Sequence, residues 1–388
     1  MKILQRYFAV SIAQSVAFVL AAFLALLAFM DLTGELASVG ANGYGIERAF
    51  LYILILVPGH VYEVMPVATL IGTIYTMAQF ASSSEFTIMR ASSMSTSMAA
   101  WMLFKIAIVL VIITFIFGEL ITPRTTPLAE KMKLTARGTT VSQEFRSGLW
   151  TKDIVKSDGM SGSITGSRFF NVHEVQSDGR LSGVKLYEFD TGLRMRSLTV
   201  AARATYQGNN VWRLEDVTQT RFTNTAALLG QPANLQNNFH QQTSVVSTEK
   251  LPSLSLVSEI TPKILSVSSS DPERMSANEL AVYTRHLAEN KQETERFKIA
   301  FWKKLIDPLA IFVLMALALP FAYLHSRSGG VSLKIFIGIM IGVGFILINT
   351  LFSHLGMLST WPAFLTVITP SLLFLLLAIG ALWWVERH

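Results

Sequence analysis

His60 and Glu63 stand three residues apart inside an apolar run, Phe50–Ala78. At that spacing an imidazole and a carboxylate share one helix face and can pair. Ionisable groups within an apolar segment of membrane length are functional candidates, because keeping them there costs free energy. A zinc site needs more ligands than these two, and the seven histidines contain no H-E-x-x-H pattern, so no metal is expected. The chain has no cysteine, which excludes disulfides, thiolate zinc sites and thiol nucleophiles. No serine sits in a G-x-S-x-G elbow. No G-x-x-x-x-G-K-[ST] loop is present to cradle nucleotide phosphates. If energy is used, another subunit supplies it, and this chain is expected to be no enzyme and to hold no cofactor.

Three further constellations carry possible chemistry. The first is Ala81-Ser82-Ser83-Ser84-Glu85-Phe86-Thr87-Ile88-Met89-Arg90-Ala91-Ser92. Ser82 and Glu85 have capping-box spacing, which predicts a short helix with Phe86, Met89 and Arg90 on one face. Such a helix fits equally an interfacial segment on lipid headgroups and a coupling helix that docks into a cytosolic motor. The second is a pair of small-residue stripes: Ala13, Ala17, Ala21 and Ala25, and Gly338 with Gly342. Small stripes let membrane helices approach closely, either within one subunit or along a seam that can open. The third is basic: Arg124, Lys131, Lys133 and Arg137, then Lys298, Lys303 and Lys304. These fit a snorkelling belt or a clamp for phosphates on an anionic lipid, with Lys as a point charge.

The elements that must position these residues are membrane helices. Hydrophobic residues make up 51% of the chain and mean hydropathy is +0.44, too apolar for a soluble domain. Phe8–Met30, Phe50–Ala78, Trp101–Thr122, Leu305–Tyr323, Leu333–Phe352 and Pro362–Val385 each approach or exceed the roughly 20 apolar residues that span a bilayer. Backbone satisfaction in lipid makes all six helices. The first run is too long for a signal-peptide core, so a cleaved leader is not expected. Lys2, Arg6, Arg90, Lys105, Arg327 and Lys334 flank one set of helix ends. The opposite short loops hold Asp31, Glu35 and Glu47 against Arg48, and no Lys or Arg around His354–Thr360. The positive-inside rule then places both termini in the cytoplasm and the polar block Pro123–Lys304 outside. The net charge of +6 belongs to those flanks; no basic stripe interleaved with aromatics suggests nucleic acid.

Within the polar block, Val141–Val246 has period-two patterning. Leu198, Val200, Ala202, Ala204 and Tyr206 alternate with more polar or small residues, Val184 and Leu186 do so on a shorter run, and Trp212 and Leu214 oppose Arg213 and Glu215. Turns punctuate it at Ser157-Asp158-Gly159, Ser177-Asp178-Gly179, Asp190-Thr191-Gly192 and Gly208-Asn209-Asn210. This predicts an antiparallel sandwich or jelly roll, whose apolar face is a plain core or a groove for a lipid. Ser276-Ala277-Asn278-Glu279 opens a polar helix toward the fourth span.

The layout and residues resemble the LptF/LptG lipopolysaccharide export permeases, and among them the LptG type. The resemblance rests on Ser84-Glu85 through Met89-Arg90-Ala91-Ser92, Val57-Pro58 with Pro66-Val67-Ala68, and Gly118-Glu119 with Pro123. It rests also on Gly148-Leu149-Trp150-Thr151-Lys152-Asp153 and Val211-Trp212-Arg213-Leu214. It implies six transmembrane helices with a periplasmic jelly-roll domain inserted between helices 3 and 4: 1–122, 123–304 and 305–388, with a coupling helix near 82–95. It implies an inner-membrane ABC transporter permease that pairs with an LptF-type subunit and a cytosolic LptB-type ATPase dimer. LptA- and LptC-type bridge and adaptor proteins would receive the lipopolysaccharide. Glu85 falls on the family's acidic position facing the ATPase, and the Ala and Gly stripes on helices 1 and 5 fall on its lateral gate. The family's lysines at the outer end of helix 1 and after the first helix 2 proline are absent: Asp31-Leu32-Thr33-Gly34-Glu35 and Gly59 stand there. A non-transporting mechanical subunit would usually place its outer domain after the first helix. A lipid-modifying enzyme would need a polar constellation at one membrane face that the sequence lacks.

Overall fold

A computed structural model describes residues 2–40, 44–137, 148–176, 179–222, 246–262, 264–265, 271–323, 331–358 and 361–387. Arg327, Ser177, Asp178, Thr360 and the start of the Val141–Val246 block lie outside these residues. The chain forms two compact units. One contains Met1–Lys133, Asp271–Ala288 and Glu293–His388, the other Leu134–Ser270 and Glu289–Gln292.

The first unit is helical. Its elements are α1 (Lys2–Leu36), α2 (Ile46–Ser82), α3 (Glu85–Ala91), α4 (Thr96–Ile116) and α5 (Thr122–Arg137, continuing into the second unit). After the strands come α6 (Ala277–Glu289), α7 (Glu295–Ile306), α8 (Ala310–Ala318), α9 (Val331–Leu358) and α10 (Ala363–Arg387). Among the described residues, six continuous helical spans are long and apolar enough to cross a membrane. The first five are longer than the apolar runs that announce them, because polar end turns remain helical; the sixth, Ala363–Val385, coincides with its run. The third span runs from α4 through a π-turn, Phe117–Ile121, into α5. Within it Gly118 lies under the Tyr62 ring, where a Cβ would come within 2.5 Å. The fourth span joins α7 to α8 through a 3₁₀ turn at Asp307–Leu309 and ends in another at Leu319–Ala322. Pro308 and Pro320 lie in these turns, where the missing N–H disfavours continued α-helix.

Helix α2 is the hub. A Cβ on Gly72 would sit 2.7 Å from the Val16 backbone, so α1 crosses α2 at near contact. A Cβ on Gly338 would meet the Ile74 side chain at 2.9 Å and one on Gly342 the Val67 side chain at 2.8 Å, so α9 packs on α2 through these side chains. Phe8, Ile12, Leu70, Ile74, Met77, Phe86, Ile311 and Leu314 form the buried centre.

The second unit carries β1 (Leu149–Asp158), β2 (Ser161–Val175), β3 (Leu181–Asp190), β4 (Met195–Gly208), β5 (Val211–Phe222) and β6 (Val246–Val257). They form one antiparallel sheet in sequential order. Side chains draw its two edges together. Ser258, just past β6, donates to Asp153 Oδ2 on β1 at 2.7 Å, and Lys156 pairs with Glu259 at 2.6 Å. The sheet therefore curls around Trp212, Phe170, Leu186 and Leu214, all essentially inaccessible. Trp212 Nε1 donates to the Ile260 carbonyl at 2.7 Å, which satisfies its one polar atom inside that core.

The period-two pattern breaks midway along β3, β4 and β5. On β4 the buried residues are Ser197, Thr199 and Ala201, then Ala204. Leu198 and Val200 face outward or half outward, the reverse of an apolar-in alternation. The phase changes at Ala202, which lies between the paired rows Ala201↔Val184 and Arg203↔Ser182 on β3 and Ala201↔Val217 and Arg203↔Glu215 on β5. The residues opposite it, Gly183 and Asp216, both have positive φ (63° and 53°). A crease crosses the sheet there and turns each strand over, so Leu181 with Val184, and Leu214 with Val217, are buried three residues apart. Near the sheet's meeting edges, burial raises the Asp153 carboxyl above the ordinary aspartate range; the Ser258 bond and Arg168 oppose this without cancelling it.

Candidate functional site

The short helix α3 follows α2 after a turn in which Ser84 takes φ 62°. The expected capping box does not form. Ser84, not Ser82, precedes the helix and makes no side-chain cap. The Ser82 hydroxyl instead bonds back to the Gln79 carbonyl at 2.8 Å. The left-handed turn points Ser82 toward the end of α2 rather than the start of α3, a geometry that residue spacing does not reveal. The same pattern at Ser276 and Glu279 does close reciprocally, at 3.3 and 3.1 Å.

Glu85 serves α3 differently. One oxygen accepts from Ser83 at 2.9 Å and the other from Tyr7 on α1, also at 2.9 Å. Phe86 and Arg90 do share a face. Phe86 is buried edge-on to Tyr323 at 5.0 Å, and the Arg90 guanidinium lies 4.7 Å over the same ring. Met89 packs beside them against the core. Tyr323, just past the fourth span, is fixed by a 2.8 Å bond from its hydroxyl to Thr96 at the start of α4. Thus α3 is joined to α1 by a carboxylate and seated on the ends of two further spans. Ile88, 63% exposed, is left on its outer surface. Tyr7 and Tyr323 were missed by sequence reasoning, since neither belongs to a local pattern.

The two stripes have different surroundings. Ala13, Ala17, Ala21 and Ala25 are all exposed; α1 packs instead through Phe8, Ile12 and Val16. Gly338 and Gly342 are buried against α2. Gly72, the closest small-residue contact of α1, stands outside both stripes.

The basic residues fall into two groups. Lys133 bonds Glu35 at the end of α1 at 2.8 Å and lies 4.7 Å over the Tyr52 ring. Lys131 is exposed nearby. Lys303 and Lys304 lie elsewhere, on a cleft of about 230 Å³ lined also by Tyr62, Glu63, Asp307 and Asn349. Lys303 pairs with Glu273 at 2.7 Å. Lys304 is buried, donates to the Glu273 carbonyl at 2.8 Å and sits 4.5 Å over the Tyr62 ring. Burial alone would raise the Glu273 carboxyl, but Lys303, with Lys304 and Arg296, outweighs it and holds it below the usual range. His60 and Glu63 are paired at 3.2 Å, as their spacing predicts. The stronger contact is to a residue outside the motif: His60 Nε2 lies 2.7 Å from Asp31 on α1.

The family profile for lipopolysaccharide export system permease LptF/LptG matches residues 6–385, nearly the whole chain. The chain belongs to the LptF/LptG permease family. Lipopolysaccharide export system permease protein LptG of Escherichia coli (strain K12) is 27% identical over 381 residues, 98% of each chain. The LptG protein of Haemophilus influenzae is 26% identical over 382 residues, covering 98% of this chain and 97% of its own. Membership of this transport family fits the six apolar spans and the central antiparallel sheet, and makes the chain a multi-pass inner-membrane permease.

Proposed function

We propose that this LptF/LptG permease is one half of an ABC transporter that extracts lipopolysaccharide from the inner membrane. The observation that carries the proposal is the bond from Tyr7 on α1 to Glu85 on α3. It ties the segment suited to an ATPase directly to the helix whose exposed face is the alanine stripe. Motion imposed on α3 reaches α1 without an intermediate. Glu85, Phe86, Met89 and Arg90 form the coupling surface; Phe86 and Arg90 anchor it on Tyr323. An LptB-type ATPase dimer supplies the nucleotide site, and this chain acts without a cofactor. An LptF-type permease covers the alanine face.

The gate lies between α1 of one subunit and α9 of the other. Ala13, Ala17, Ala21 and Ala25 present a flat surface for it, and Gly338 with Gly342 hold α9 against α2 behind it. Lys131, Lys133, Lys303 and Lys304 offer positive charge to the lipid's phosphates. Extraction is uphill by about 0.8 kcal/mol per CH₂ withdrawn, so the ATPase must drive it. The termini and the Ser82–Ser95 loop face the cytoplasm. The segment 123–304 is a periplasmic jelly-roll insertion that hands lipid to, or docks, LptC- and LptA-type partners.

The test is photo-crosslinking to lipopolysaccharide in membranes. Probes at Ala17, Ala21 and the exposed α9 positions Met340 and Val343 should capture it. Crosslinks confined to α2, α4 and α10 would remove the gate.

A further inference from the structure

Helix α1 is secured unevenly. Its first half is anchored by buried Phe8, Ile12 and Val16, by the close approach to Gly72, and by Thr76 bonding Ser15 at 2.8 Å. From Ala17 to Gly34 no side chain is fully buried. That half is an arm with little apolar attachment inside this chain. Its tip is nevertheless pinned twice. Asp31 meets His60 of α2 at 2.7 Å, and Glu35 meets Lys133 of α5 at 2.8 Å. The two carboxylates are four residues apart, one turn or about 6 Å along the same face. In each pair the cation is held from behind. His60 has Glu63 at its other ring nitrogen, 3.2 Å away, and Lys133 has the Tyr52 ring beneath it at 4.7 Å. With a carboxylate at both nitrogens, the imidazolium is the form that can donate at both. Asp31 is 32% exposed and the Lys133 side chain 25%, so an anion reaches Lys133 directly and reaches His60, itself 8% exposed, where Asp31 gives way.

We propose that His60 and Lys133 are paired anion sites for a lipid headgroup with two or more phosphates, occupied in the lipid-free state by Asp31 and Glu35 of the gate helix. A phosphate takes the place of each carboxylate. Displacing both removes the two ion pairs that hold the tip of α1, while Glu63 and Tyr52 keep the cations in place. Substrate thus unlocks its own gate, and a lipid with one anionic group leaves one pin closed. This rests on the transport role proposed above and adds to it a reason for acidic residues at the end of a helix that faces an anionic substrate.

The experiment uses the intact permease–ATPase complex in phosphatidylcholine nanodiscs. A spin label is placed at Gly34→Cys, where a side chain meets nothing within 4 Å. Lipopolysaccharide should mobilise the label, whereas enzymatically dephosphorylated lipopolysaccharide and phosphatidylglycerol should not. In an Asp31→Asn/Glu35→Gln background the label should be mobile without lipid, and lipopolysaccharide should bind several-fold more tightly, because its competitors are gone. Purely structural pins predict the opposite: binding unchanged or weaker. That result, or a label unmoved by lipopolysaccharide that binds the wild-type complex, overturns the proposal while leaving transport intact. A wild-type complex that binds no lipopolysaccharide removes the transport role and the paired sites with it. The wild-type label measurement needs neither carboxylate replaced, so it decides the matter even where the double variant fails to assemble.

Discussion

Glu85 illustrates how one carboxylate can do two separable things. In the proposed coupling its charge meets a basic partner, while its two oxygens accept from Ser83 and Tyr7. Glu85→Gln keeps an acceptor and the side-chain length but removes the charge. It should reduce lipid-stimulated ATP hydrolysis and export several-fold, with thermal stability nearly unchanged. Tyr7→Phe removes only the link to α1, so ATP hydrolysis should persist while export falls. Equal hydrolysis and export in both variants would refute the coupling role. Asp153 makes a pH-dependent contribution of definite sign. Burial raises its carboxyl in the folded state, so the native chain binds this proton more tightly than the unfolded one. That stabilisation is complete below the ordinary aspartate range and is lost as pH rises through the raised value. Protection of the β1 and β6 backbone against hydrogen exchange should therefore decline over that window. Asp153→Asn should flatten the decline; an unchanged slope would assign it to another group.

Individual helices are set by small residues at crossings. The α9–α2 contact has no space for a side chain at Gly342, where a Cβ would already stand 2.8 Å from Val67. Gly344, two residues on, meets nothing within 4 Å. Gly342→Leu should cost about 1–3 kcal/mol or more from overpacking, whereas Gly344→Leu should be tolerated. Chemical denaturation of the two variants compares them directly, and equal losses would contradict the close crossing. At α6, the Ser276–Glu279 box is joined by Glu119, whose two oxygens each lie 3.0 Å from the Ala277 N–H. Ser276→Ala should destabilise by about 0.5–2 kcal/mol.

The whole molecule has a definite predicted topology. Single cysteines at Ser92, exposed after α3, and at Leu193, 78% exposed between β3 and β4, should react with impermeant reagents from opposite sides of the inner membrane. Labelling from one side would refute the orientation. A permease working as a pair should also be stabilised by its partner at the exposed face of α1. The buried apolar residues of that helix, Phe8, Ile12 and Val16, all lie in its first half.

What the sequence determined by itself was everything carried by composition and local periodicity. Apolar runs of membrane length must become helices, because lipid offers no partner for the backbone. Alternation with turn residues gave strands, and Ser276–Glu279 gave a true cap. Phe86, Met89 and Arg90 were legible as one face, since 3.6-residue spacing alone brings them together. The tertiary structure decided what meets across the chain. Ser82 and Glu85 have the spacing of a cap, yet a left-handed Ser84 separates them. Leu198 and Val200 alternate correctly but turn outward before a crease formed by the facing residues Gly183 and Asp216. His60 pairs with Glu63 as spacing suggests, but its nearer partner is Asp31, 29 residues away. Tyr323 receives Phe86 and Arg90 from a helix more than 200 positions earlier. Such contacts depend on how finished elements pack, and helix packing is chosen by shape and burial over the whole surface, to which no single segment holds the information.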